Sequence, residues 1–140
     1  MTVAKDSVSK IESFLKRCLS LKGYIISFYV FDDDSANFLL DTIKQYYQSI
    51  DGDSEISDII LGSVLEMQFS NQSKIRVFSK QSMQHSVHAN LVFMDSRFKE
   101  AYIKESIFPR IDKFDLEEGF LLNPKLIYIK FTEENKNEKD

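Results

Sequence analysis

With 140 residues, a net charge of −4, 43% hydrophobic and 29% charged residues, the chain has the makeup of one globular domain with a core of its own. That composition excludes a disordered chain and a protein whose whole surface grips nucleic acid. The sequence shows no apolar run of the ~20 residues a membrane span needs and no basic-then-apolar leader. The single cysteine, Cys18, excludes an intramolecular disulfide framework, and the expected setting is cytoplasmic.

Ser7 or Ser9 is the expected cap of a first helix, whose apolar residues Ile11, Phe14, Leu15, Cys18 and Leu19 recur at helical spacing. Cys18 falls on that apolar face, as a small core residue. Gly23 stands where a left-handed residue closes a helix. Tyr24–Phe31 (YIISFYVF) is a nearly unbroken apolar run rich in aromatic and β-branched residues, the pattern of a strand covered on both faces. Asp34 or Ser35 is the expected cap of a second helix carrying Phe38, Leu39, Ile43, Tyr46, Tyr47 and Ile50.

DGDSEISD (51–58) reads as a polar loop. Its alternating acids resemble the start of an EF-hand, but Ile56 replaces the turn glycine and Gly62 the bidentate Glu, which excludes that calcium site. Val64, Leu65, Met67 and Phe69, then Ile75, Val77 and Phe78, flank Ser-Asn-Gln-Ser and predict a hairpin without the preferred turn glycine. Asn90–Met94 (NLVFM) is a second buried strand, running directly into Asp95. FKEAYIKESIFPRI (98–111) predicts a helix that Pro109 ends. KLIYIKF (125–131) is a third buried strand, and 133–140 a solvated polar tail after a single domain spanning 1–132.

Asp95 carries the most chemical content. A carboxylate at the carboxyl end of a buried parallel strand sits at the edge where α/β folds bind ligands. It is equally what an apolar strand meeting a polar loop would show. Asp32, Asp33 and Asp34 follow the first strand, and Lys10, Lys16, Arg17 and Lys22 crowd the first helix; both runs read first as solvated surface, the second alternatively as a local basic strip open to nucleic acid. His85 and His88 lie three residues apart with no third ligand spaced to join them.

The order helix, strand 24–31, helix, hairpin, NLVFMDS, helix, KLIYIKFT is similar to the ATPase core of the large terminase subunit of tailed phages. VLEMQFSNQSKIRVFS, SMQHSVHANLVFMDS, and SIFPRI with KLIYIKFT carry the resemblance, over residues 5–132. It implies an α/β fold of P-loop-NTPase-like topology: a wound, mostly parallel sheet with flanking helices and an inserted β-hairpin. It also implies Mg²⁺ on Asp95 and a coupling role for Thr132. The departures fall on chemistry. AKDSVSK stands where a glycine-rich phosphate loop is expected, Ser96 where the catalytic Glu is, and His85-Ser86 where the family has Arg-Gly. YVFDDDSANFLLDTIKQYY also resembles the first strand and helix of a response-regulator receiver domain, which would gather Asp32, Asp33 and Asp95 around Mg²⁺ with Thr132 as switch.

The expectation is therefore a fold without its hydrolytic apparatus: a non-catalytic binding or regulatory protein with a protein partner. The richness in Phe and Tyr over Gly and Pro (12 and 6 against 4 and 2) suits the coding bias of a phage, a virus or a low-GC microbe, and with the terminase resemblance the expectation is a phage- or virus-encoded chain in the host cytoplasm. The alternatives are a receiver-like metal- or phosphate-sensing module and part of an ATPase completed by another chain.

Overall fold

The computed structural model describes residues 2–51, 56–61, 65–82, 89–110 and 125–132. His85, His88, Val64 and the 133–140 tail lie outside them. A mixed α/β fold is built around a six-stranded sheet of order β3-β4-β5-β2-β6-β7. Its strands are β2 (Ile25–Tyr29), β3 (Ile56–Leu61), β4 (Leu65–Phe69), β5 (Lys74–Phe78), β6 (Leu91–Asp95) and β7 (Lys125–Ile129). β5, β2, β6 and β7 run parallel, in the registers Phe28↔Val77, Phe28↔Phe93 and Phe93↔Ile127. β4 and β3 continue the sheet antiparallel. The three long apolar runs are thus parallel neighbours in one sheet, with the ribbon attached beside β2.

Strand alternation divides the side chains between two faces. On one face Ile26, Phe28, Ile75, Val77, Leu91 and Phe93 pack under α1 (Lys5–Leu15), α2 (Arg17–Ser20) and α3 (Asp33–Asp51), through Ile11, Leu15, Cys18, Leu39, Ile43 and Tyr47. Phe28 and Phe93 stack at 4.7 Å between ring centroids. The Tyr47 hydroxyl donates to the Leu15 carbonyl at 2.6 Å, tying α3 to α1. Cys18 is wholly buried beside it, and burial pushes its thiol up to about 12, so it is core and not nucleophile. On the other face Tyr29, Phe78, Val92 and Met94 meet Phe98, Ile103 and Ile107. The last two belong to a helical segment that starts as α4 (Glu100–Tyr102) and continues as a π turn (Ile103–Ile107) and a 3₁₀ turn (Phe108–Arg110). Among the described residues no helix is long and apolar enough to cross a membrane.

Several boundaries differ from the expectations. Ser7 does not cap α1; Ala4 holds that position, and the Ser7 hydroxyl accepts instead from the Lys130 N–H at 2.9 Å. Residues 2–3 form a strand, β1 (Thr2–Val3), antiparallel to β8 (Phe131–Thr132). The first helix breaks at Lys16 and ends at Ser20, so Gly23 (φ 70°) shapes the turn into β2 rather than the helix end. The cap of α3 is Asp32, not Asp34 or Ser35: its Oδ1 accepts from the Ser35 N–H at 2.9 Å. Part of the expected 51–58 loop is β3, whose backbone pairs with β4. The hairpin turn dispenses with glycine because Gln72 adopts φ 75° and Asn71 Oδ1 accepts from the Ser73 N–H.

Candidate functional site

β2 lies between β5 and β6 although it precedes both, so the strand order reverses direction beside it. In open α/β sheets the crevice outside the carboxyl ends of strands at such a reversal is where ligands bind. The residues there come from the loop after β2, the amino end of α3, the loop after β5 and the turn after β6.

Asp95 ends β6 and has no solvent exposure. The Phe98 N–H donates to the Asp95 carbonyl at 3.2 Å, closing a turn that folds Arg97 back over the carboxylate. Arg97 Nε–H donates to Asp95 Oδ1 at 3.0 Å and its terminal nitrogen to Oδ2 at 2.7 Å, a two-point fork. The Arg97 backbone N–H adds a bond to Oδ1 at 3.0 Å, and the Phe31 N–H reaches Oδ2 at 2.9 Å. The carboxylate thus bridges the ends of β2 and β6. The same Arg97 nitrogen donates to the Ser35 hydroxyl at 2.6 Å, linking the pair to α3. The guanidinium carbon lies 4.7 Å from the Phe131 ring centroid and 5.5 Å from that of Phe31. These apolar faces shield the pair from water and strengthen it.

The other expected carboxylates point elsewhere. Asp32 caps α3; burial pulls its carboxyl upward, but the Ser35 hydroxyl and N–H and the nearby Arg97 outweigh it and hold the group below its ordinary value. Asp33 accepts from the buried Ser79 hydroxyl, joining the end of β5 to α3. The amino end of α3 is therefore tied by Ser79 on one side and Arg97 on the other. Asp32, Asp33 and Asp34 together give it negative charge, which suits the helix dipole and repels a phosphate. Among the described residues no group of three or more His, Cys, Asp or Glu side chains is placed to hold a metal ion. Ser96 is exposed, its N–H donating to the Ile129 carbonyl at 2.8 Å, and Thr132 sits on β8 with its hydroxyl 3.4 Å from the Thr2 carbonyl.

Arg97 is the residue that sequence reasoning missed. Next to Lys99 and Glu100 it reads as one more charge at a helix start, although a cation two residues beyond a strand-terminal Asp is within reach of a turn that pairs them. Ser79 gives no sequence signal beyond loop polarity, and Ser35 only that of a possible helix cap. The basic residues Lys10, Lys16, Arg17 and Lys22 are all exposed. Arg17 lies 4.4 Å from the Phe14 ring centroid and donates to the Tyr24 hydroxyl at 3.2 Å.

A cleft of about 330 Å³ opens beside this edge, between α3 and the β4–β5 ribbon. Asp33, Ala36, Asn37, Leu65, Val77, Gln81 and Ser82 line it. A scan against protein-family models and searches of curated proteins and of solved structures found no match to this chain.

Proposed function

We propose that this chain is a non-catalytic binding domain, phage- or virus-encoded, on a terminase-like α/β fold whose hydrolytic apparatus is gone, and that its ligand is another protein. The observation that carries this reading is the Asp95–Arg97 pair. In a nucleotide hydrolase the strand-terminal Asp must offer its oxygens to Mg²⁺, which requires near-octahedral oxygen ligation at ~2.0–2.1 Å. Here both Asp95 oxygens accept from a guanidinium fork and from backbone N–H groups. A cation bound there must first displace Arg97, and the freed arginine then repels it.

The same geometry weighs against a receiver-like module, because Asp95 is paired with Arg97, Asp32 caps α3 and Asp33 turns to Ser79, and among the described residues the three do not form a group placed to hold a metal. The phage or viral origin rests on composition and on the terminase resemblance. Isothermal titration of the purified protein with ATP and Mg²⁺ tests the reading. The expected result is no heat of binding at micromolar nucleotide and no release of phosphate. Micromolar binding with turnover would overturn it.

A further inference from the structure

From the cleft beside α3 we infer a docking site for an aliphatic cation, the guanidinium or ammonium of an Arg or Lys side chain presented by the protein partner. The inference rests on the binding-domain reading and names the chemistry that the partner supplies. Leu65, Val77 and Ala36 give the cleft an apolar wall, while Asp33 brings a carboxylate and Asn37 an amide; the Gln81 side-chain oxygen lies 3.2 Å from the Ser79 hydroxyl. Asp33 Oδ1 accepts from Ser79, which fixes the carboxylate in orientation. The Asn37 amide nitrogen donates to the Asp33 carbonyl at 3.0 Å, so that its side-chain oxygen is the end left for a donor.

Among the described residues, those lining the cleft include no cation. Of the cations adjacent in sequence to lining residues, Lys80 lies over the Phe31 and Tyr102 rings, 4.2 and 5.5 Å from their centroids, and Arg76 pairs with Glu66 at 3.0 Å. An acceptor-rich rim around an apolar wall complements a charged donor on a hydrocarbon stem, which packs its methylenes while its head is paired. The positive end of the α3 dipole would oppose a cation, but Asp32, Asp33 and Asp34 reverse the local charge.

The test is titration of the full chain, followed by the amide resonances of Asn37, Leu65, Val77, Gln81 and Ser82, with n-butylguanidinium, n-butylamine and the neutral isostere n-butylurea. The expected result is shifts confined to those residues for both cations, with butylurea about tenfold weaker. Asp33→Asn, which keeps an oxygen for Ser79, should erase the difference between cation and isostere. Asn37→Asp, adding a second carboxylate, should tighten the cations about tenfold and leave butylurea unchanged. Equal binding of butylurea, shifts elsewhere, no shifts, or insensitivity to both variants would overturn the inference. ATP with Mg²⁺ is titrated in parallel. Shifts around Phe31, Asp95 and Arg97 would overturn the non-hydrolase reading while leaving the cation cleft standing on its own result.

Discussion

The Asp95 carboxylate is wholly buried, whereas the Arg97 side chain keeps 32% of its exposure, and this asymmetry decides which partner is the more costly to lose. Removing Arg97 strands a buried carboxylate on the Phe31 N–H and the backbone of the turn. Arg97→Met keeps an unbranched stem and deletes the guanidinium that lies over Phe131; it should cost about 2–4 kcal/mol in urea unfolding. Combining it with Asp95→Asn should cost less than the sum of the two single changes, because each removes the same pair. Additive losses would mean that the two side chains do not act as a unit.

At the scale of elements, the β4–β5 hairpin shows where local sequence and fold disagree. Gln72 pays for a left-handed conformation that glycine adopts without strain. Gln72→Gly should raise stability by roughly 0.5–1 kcal/mol, the relieved strain being partly offset by the freer unfolded chain. On the same ribbon Glu66 accepts from Arg76 Nε–H at 3.0 Å and from the Gln68 amide at 2.7 Å. Burial pulls the Glu66 carboxyl upward, but Gln68, Arg76 and Lys74 outweigh it and hold the group below its ordinary 4.5. A carboxyl depressed on folding contributes stability that is full above the unfolded value and lost as pH falls through the folded one. Glu66→Gln should therefore be less stable than the parent at neutral pH. The gap should start to close below pH 4.5 and vanish under the folded value. A gap that persists into strong acid would contradict the assignment.

The elements that sequence reading found are those whose signal is long and apolar: the centres of 24–31 and 90–94 are buried, whereas β7 leaves Leu126 and Tyr128 exposed, so 125–131 is a strand as expected but not a buried one. β3 was hidden because the acids of 51–58 outweigh Ile56 and the apolar residues at 59–61 in any local reading. The two-residue β1 and β8 carry no periodicity at all, their pairing being set by where the chain ends of the fold meet. The cap of α3 was misplaced because each of Asp32, Asp33, Asp34 and Ser35 is a competent cap, and only the exit angle of β2 selects among them. The site was legible as an edge and illegible as a chemistry. Asp95 could be placed at the end of its strand, whereas its partner depended on a turn whose direction is fixed by packing Phe98 against Ile103 and Ile107.

At the scale of the whole molecule, four parallel strands and the amino end of α3 converge on one edge, and three ties close it: Asp95 to the Phe31 N–H, Arg97 to Ser35, and Ser79 to Asp33. On the binding-domain reading proposed above, an edge so tied serves as a rigid surface, and the adjoining cleft is where a partner would be read. The claim that Asp95 is structural is tested most directly by thermal melting with and without millimolar Mg²⁺, on the parent and on Asp95→Asn. A ligand that binds only the folded state raises the melting temperature by mass action. The expected result is no Mg²⁺-dependent shift in either protein, together with a lower melting temperature for Asp95→Asn, whose amide nitrogen faces donors where an acceptor is needed. A clear Mg²⁺-dependent rise in the parent that disappears in Asp95→Asn would show that the carboxylate is a metal ligand and contradict the account.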